Sequence, residues 1–130
     1  AALAEQAGIP RCRIMVDDGL DLGKTEQQSL ELLRSSEELS ALGYPSFLSA
    51  SNKRFLGELL GTAVGDRRMA SHAAHALGIT KGCRILRAHD VRGARRTATM
   101  IESILEVAAD FEGSDPTVNP LNAATTAAGR

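Results

Sequence analysis

Three groups of polar residues in the sequence have the side chains needed to bind an anionic ligand. Asp17 follows the apolar run at residues 14–16, and a second group occupies residues 49–54. The third group is Arg87 and His89, which are two residues apart and would share one face of a strand. An arginine beside a histidine can hold a phosphate-like anion through charge-assisted hydrogen bonds. We therefore expect Arg87 and His89 to bind an anion.

The stretch VDDGLDLGKT at residues 16–25 ends like a nucleotide-binding P-loop but lacks its glycine spacing. A P-loop has four residues between its two glycines, so that backbone N–H groups can surround a phosphate. The motif at residues 23–25 would need a glycine where Asp18 stands, and Gly19 is one residue too close. The sequence therefore excludes a P-loop. For Asp17 both a ligand role and a turn role remain open, whereas Asp21 favours a helix-capping or turn role.

The composition excludes several classes of function. The 130-residue chain has the size of one domain, and its net charge of −1 provides no overall attraction for nucleic acid or an anionic membrane. One Tyr, three Phe and no Trp leave little surface on which bases could stack. Cys12 and Cys83 fit no metal-ligand spacing, so we expect reduced thiols in a cytoplasmic protein.

The elements that position the polar groups alternate between strand and helix. Apolar runs at residues 14–16, 47–48 and 85–86 are each followed by a polar turn and a helical pattern, which predicts βαβ units and a parallel sheet. The polar groups then lie at the C-terminal ends of the strands, where parallel α/β proteins bind ligands. The first helical pattern extends from about residue 26 to 42.

Other local patterns complete the predicted organisation. Ser51 or Asn52 is expected to cap the helix that follows the second strand. His72 and His75 are interpreted as ordinary helix residues because no carboxylate or cysteine completes a metal-binding set. The three methionines are expected in the core. The chain begins as if within a helix and without an initiator methionine, so we expect more protein upstream.

In this order, the three polar groups resemble motifs of the dihydropteroate synthase family. That family has a strand ending Asp-Pro-Gly-x-Gly-Phe-Gly-Lys-Thr, a Ser-Arg-Lys before a helix, and Arg-x-His-Asp after the last strand. This chain has DDGLDLGKT at residues 17–25, SNKR at 51–54 and RAHD at 87–90. The resemblance covers about residues 1–108. It implies an α/β fold comprising the last three β/α units, strands 6–8, of a (β/α)8 TIM barrel that is incomplete as given. Residues 1–112 would form this C-terminal part of a pterin-binding barrel, and residues 113–130 are expected to be a disordered tail.

The resemblance also implies a reaction. The family joins 4-aminobenzoate to a hydroxymethyl-dihydropterin diphosphate with loss of pyrophosphate. Asp17 would bind the pterin ring edge, Lys53 a ring heteroatom, and Arg87 with His89 the leaving pyrophosphate, while the benzoate carboxylate would lie near residues 51–54. The implied substrate-binding residues are Asp17, Gly23, Ser51, Lys53, Arg87 and His89, and the implied catalytic residues are Lys53, Arg87 and His89. The resemblance further implies Mg²⁺ held by an Asn upstream of this chain, and a homodimer through the outer helices.

Four positions depart from the family motifs. Asp18 replaces Pro, Asp21 replaces Gly, Leu22 replaces Phe and Asn52 replaces Arg. Such changes resemble those in divergent second copies found in actinobacteria. Two interpretations therefore remain open: a working transferase of folate biosynthesis, or a catalytically weak or inactive paralogue that keeps pterin or phosphate binding or serves a partner protein. The carboxylate of Asp21 is expected to repel the benzoate unless it points to solvent or pairs with Lys24.

Overall fold

The chain alternates short parallel strands with helices. The computed structural model describes residues 1–112, with side chains to residue 106. In this range the strands are β1 (Val16–Asp17), β2 (Ser46–Leu48) and β3 (Ile85–Leu86), and the helices are α1 (Ala2–Gln6), α2 (Glu26–Arg34), α3 (Ser36–Ser40), α4 (Arg54–Leu60), α5 (Arg68–Thr80) and α6 (Val91–Glu112). Short 3₁₀ turns occupy Arg11–Arg13 and Val64–Asp66. The predicted tail at residues 113–130 lies outside the described residues.

The strands of the described residues form one parallel sheet in the order β1-β2-β3, which confirms the predicted α/β organisation. Asp17 is opposite Phe47 in the register, and Phe47 is opposite Ile85. Parallel neighbours need a crossover between them, and helices supply it here. Because the strands run in one direction, their C-terminal ends meet at one edge of the sheet.

The two faces of the sheet differ as the alternation of side chains predicts. Ile14, Leu48 and Ala50 are buried beneath the helices. In α5, Gly78 allows close packing, because a Cβ there would overlap the Leu48 side chain. The opposite face includes Met15, which is 58% exposed. The core lies between this sheet and its helices, and its buried members are Leu20, Leu33, Leu48, Ala50, Phe55, Leu56 and Ala74.

Two predictions about packing are wrong. The pattern at residues 26–42 forms two helices, because the hydroxyls of Ser35 and Ser36 bind the carbonyls of Glu31 and Leu33 at 2.9 and 3.1 Å and the chain bends between α2 and α3. The methionines do not fill the core either. Each of them is on an exposed face of its element, and they are Met15, Met69 and Met100.

Across the described residues, none of the helices combines the length and apolar character required to cross a membrane.

Candidate functional site

Arg87 lies at the C-terminal edge of the sheet beside Ser49. The pairing of β2 with β3 continues past the assigned strands, since the Arg87 N–H donates to the Leu48 carbonyl at 3.0 Å. On the face away from the helices, the Arg87 Nη1 lies 3.5 Å from the Ser49 Oγ. Arg87 is exposed, so its guanidinium is accessible to a ligand at the sheet edge.

His89 follows on the same face and is bound by Ser51. The Ser51 Oγ accepts a hydrogen bond from the His89 N–H at 3.1 Å and lies 2.9 Å from the His89 Nδ1. Ser51 is only 5% exposed, whereas His89 is exposed. The structure therefore brings together three of the predicted site residues, Ser51, Arg87 and His89, at adjoining strand ends.

The loop after β1 is held by its own hydrogen bonds. The Asp17 Oδ1 accepts from the Gly19 N–H at 2.7 Å, and the Lys24 Nζ donates to the carbonyls of Gly19 and Leu22 at 2.9 and 3.3 Å. Gly23 has a φ of 65°, a left-handed conformation that glycine adopts without steric cost. Because Lys24 binds its own loop, it is not placed to hold a phosphate, which agrees with the exclusion of a P-loop.

Lys53 connects this loop to α4. Its Nζ donates to the Leu20 carbonyl at 2.9 Å, and Leu20 itself is 1% exposed. A predicted site lysine at the second strand end is therefore joined to the loop that begins at Asp17.

Asp21 caps α4, a helix for which the sequence did not predict Asp21 as the capping residue. Its carboxylate accepts from the backbone N–H groups of Arg54 and of Phe55, the latter at 3.2 Å, while its own N–H donates to the Ser29 Oγ at 3.2 Å. The predicted capping role of Asp21 is confirmed, but the helix is not the one that follows its own strand, since Thr25 caps α2. Of the two alternatives, the structure does not bear out pairing with Lys24, whose Nζ binds the carbonyls of Gly19 and Leu22, and Asp21 is half-buried.

The prediction that Ser51 or Asn52 caps α4 is also wrong. Lys53 occupies the N-cap position and makes no side-chain cap bond. The Ser51 hydroxyl is bound to His89 instead, and Asn52 has a left-handed φ of 57°. The carboxylate of Asp21 therefore supplies the cap that residues 51 and 52 do not.

Asp18 has a different environment from the other acids of the loop. It lines a small cleft with Ser46 and Cys83, and burial, followed by the charge of Asp17, raises the pKa of Asp18, while Lys24 acts in the opposite sense. The carboxylate that replaces the family's proline thus points into the layer between sheet and helices.

A cluster that sequence analysis missed lies behind His89. The His72 Nε2 lies 3.1 Å from the Asp90 Oδ2, and the Asp90 Oδ1 accepts from the Gly93 N–H at 2.9 Å. The Gly93 bond, assisted by His72, lowers the pKa of Asp90. His72, Asp90 and His75 line a pocket of about 240 Å³ that also borders Ser51 and His89. Because His72 and Asp90 are far apart in sequence, only the motif position of Asp90 could have indicated this pair.

His75 is buried at the base of this pocket. It is 1% exposed, and burial and the neighbouring His72 lower the pKa of His75, while the backbone of Arg87 offsets part of this effect. Its surroundings therefore favour the neutral form of the His75 imidazole. Among the described residues, no three His, Cys, Asp or Glu side chains converge in a way that could hold a metal ion.

Comparison with known proteins identifies a consistent set of relatives. The family model described as "Pterin binding enzyme" matches residues 1–89. The dihydropteroate synthase of Bacillus subtilis is 38% identical over 103 residues, which cover 79% of this chain and 36% of that protein. The inactive dihydropteroate synthase 2 of Mycobacterium leprae is 40% identical over 104 residues, which cover 80% of this chain and 36% of that protein.

Solved structures agree with these relatives. The dihydropteroate synthase of Thermus thermophilus in complex with 4-aminobenzoate has a TM-score of 0.74 at 39% identity. The match covers 79% of this chain and 40% of that one. The dihydropteroate synthase of Xanthomonas albilineans in complex with 7,8-dihydropteroate has a TM-score of 0.77 at 34% identity. The match covers 80% of this chain and 40% of that one. This chain spans only 36% of the length of each of the two curated relatives.

Proposed function

This chain belongs to the pterin-binding enzyme family, and we propose that it forms the last three β/α units, strands 6–8, of a dihydropteroate synthase-like barrel. In the assembled protein, residues 1–112 would complete a barrel that joins 4-aminobenzoate to a hydroxymethyl-dihydropterin diphosphate. The observation that carries this proposal is the placement of Arg87 and His89 on one face at the sheet edge, each beside a serine of the neighbouring strand.

In the proposed reaction, the amine nitrogen of 4-aminobenzoate attacks the methylene carbon of the pterin. The carbon–oxygen bond to the diphosphate breaks, the pyrophosphate leaves with the electron pair, and the amine loses a proton. Arg87 and His89 would donate hydrogen bonds to the diphosphate as its negative charge increases. Donors already oriented toward a developing charge stabilise the transition state more than the ground state.

The pterin ring would lie against the loop after β1. Asp17 is exposed and could accept hydrogen bonds from the ring N–H groups, and Lys53 lies beside this loop through its bond to Leu20. The left-handed Gly23 gives the loop its turn. We propose that Lys53 exchanges the Leu20 carbonyl for a heteroatom of the pterin ring when the substrate binds.

The family resemblance also implies a magnesium ion, a cytoplasmic location and a homodimer, and these concern the whole protein. The described residues do not fit a magnesium site, because no three candidate ligands among them converge. We propose, from the family resemblance alone, that any Mg²⁺ that the reaction uses is held by an Asn upstream of this chain. We also propose a cytoplasmic homodimer that associates through the outer helices.

A titration with pyrophosphate tests the proposed anion site. In a hybrid barrel, the 103 aligned residues of this chain replace the matching segment of the Bacillus subtilis synthase. Arg87→Ala is expected to weaken pyrophosphate binding by at least about tenfold, because a hydrogen bond from a charged donor contributes about 1.5–3 kcal/mol. Arg84→Ala removes the same charge before β3, at the opposite end of the strand, and should change the affinity by less than about twofold. Equal affinities of the Arg87→Ala and unmodified hybrids would contradict the proposal.

One observation favours the second candidate, a catalytically weak or inactive paralogue. The backbone N–H groups of Arg54 and Phe55, where the family resemblance would place the benzoate carboxylate, already bind the carboxylate of Asp21. An incoming benzoate would meet a like charge in place of free donors. The similarity to inactive dihydropteroate synthases of Mycobacterium leprae and Mycobacterium bovis supports this candidate.

A further inference from the structure

Ser51 contacts both the backbone and the imidazole ring of His89, and these two contacts bear on which ring nitrogen carries the proton. The Ser51 Oγ accepts from the His89 backbone N–H and lies within hydrogen-bond distance of the His89 Nδ1. A serine hydroxyl has one hydrogen to donate and two lone pairs to accept. The direction of the hydrogen bond between the Ser51 Oγ and the His89 Nδ1 therefore depends on which acceptor is available to the single hydroxyl hydrogen.

Two arrangements are possible for a neutral imidazole. If Nδ1 carried the proton, the Ser51 Oγ would accept two hydrogen bonds and its own hydrogen would need another acceptor. In the described part of the structure no other protein atom is within hydrogen-bond distance of the Ser51 Oγ, and the residue is 5% exposed. A buried hydroxyl hydrogen without an acceptor is unfavourable. If Nδ1 is unprotonated, the hydroxyl donates to it and every group is satisfied.

We infer that Ser51 is a positioning residue that holds neutral His89 with its proton on Nε2. Two contacts from one hydroxyl, to the ring and to the backbone of the same histidine, fix both the rotation of the imidazole and its tautomer. The Nε2–H is on the far side of the ring from Ser51 and is a donor. In this state Nε2 cannot accept a proton.

This assignment deepens the function proposed above and rests on it for the identity of the ligand. A neutral His89 that presents Nε2–H can donate to a diphosphate oxygen without first becoming protonated. His89 would then act as a hydrogen-bond donor to the leaving group and not as the base that takes the proton of the amine. Ser51 would contribute through His89 and would not itself contact the substrate.

The test is nitrogen NMR of the hybrid barrel labelled in its histidine rings, at a pH where the rings are neutral and without ligand. This chain has three histidines, so each of their rings can be assigned by substitution. We expect His89 to show an unprotonated Nδ1 and a protonated Nε2. In Ser51→Ala, the His89 Nδ1 resonance should move downfield because the nitrogen loses its hydrogen-bond donor.

Two matched variants separate positioning from a general effect on folding. Ser46→Ala removes another buried serine hydroxyl of the same sheet, bound to the Gly82 carbonyl, and should leave the His89 signals unchanged. Ser51→Thr keeps the hydroxyl and should restore the Nδ1 shift of the unmodified hybrid. A proton on Nδ1 in the unmodified hybrid, or the same Nδ1 shift with and without the Ser51 hydroxyl, would overturn the inference. These spectra need no ligand, so failure of pyrophosphate to bind the hybrid would count against the proposed function alone.

Discussion

The unmodified hybrid barrel is expected to turn over roughly two to four powers of ten more slowly than the Bacillus subtilis synthase. The main cause is Asp21, whose carboxylate binds the N–H groups at the start of α4. A second carboxylate about 4 Å away would be repelled by about 1 kcal/mol in water-like surroundings and by about 4 kcal/mol at an effective dielectric of 20. Asp21→Gly should therefore raise turnover by about ten- to a hundredfold, measured in the steady state with both substrates.

Two further substitutions complete this test. Adding Leu22→Phe would supply a ring contact worth about 0.5–1.5 kcal/mol, and Asn52→Arg would restore a cation. The triple variant is expected to recover most of the lost turnover. Asp18→Pro is the matched control and should leave turnover unchanged. Asp18 is another departure from the family motif in the same loop, but it lines a cleft with Ser46 and Cys83. Turnover of the unmodified hybrid at the Bacillus rate would show that these departures are harmless.

The same aspartate should be a large contributor to stability. Asp21→Ala is expected to lower the free energy of unfolding of the hybrid barrel by about 2–4 kcal/mol, from the loss of hydrogen bonds to a charged group and the cost of alanine at a φ of 64°. Asp21→Gly should lose about 1 kcal/mol less, because glycine adopts this φ freely. Urea unfolding measures both changes.

Asn52→Gly provides the control for this stability series. Asn52 also has a positive φ, of 57°, and its side chain makes no hydrogen bond in the described part of the structure. The substitution should therefore change the free energy of unfolding by less than about 1 kcal/mol. If Asp21→Ala were no more destabilising than Asn52→Gly, Asp21 would not be an effective cap of α4. Together, the two series predict that Asp21→Gly gains turnover while it loses stability.

Much of the fold was predictable because its signals are local. Alternation at residues 14–17 and 85–89 correctly separated the buried face from the face that includes Asp17 and Arg87. The order of strands and helices predicted a parallel sheet, and a parallel sheet gathers its strand ends at one edge. The break at Ser35 was missed, because the apolar spacing continues through a point where serine hydroxyls compete for helix carbonyls.

The contacts within the site were not predictable in the same way. The bond between Ser51 and His89 depends on the exact register of β2 against β3, and the bonds of Asp21 to α4 depend on a left-handed backbone conformation that few non-glycine residues adopt. Both contacts join residues more than 30 positions apart. The family resemblance included Ser51 and His89 among the substrate-binding residues, and the sequence favoured a capping or turn role for Asp21. Only the three-dimensional structure assigns the hydroxyl to the histidine and the carboxylate to α4.

In the hybrid barrel, we expect this chain to retain the pterin diphosphate part of the site. Calorimetric titration of a hydroxymethyl-dihydropterin diphosphate into the hybrid barrel tests it most directly, because binding does not require the benzoate. We expect an affinity within about tenfold of that of the Bacillus subtilis synthase, with a further loss of at least about tenfold in Arg87→Ala. Binding more than about a hundredfold weaker in a hybrid that unfolds cooperatively, or binding unaffected by Arg87→Ala, would contradict it.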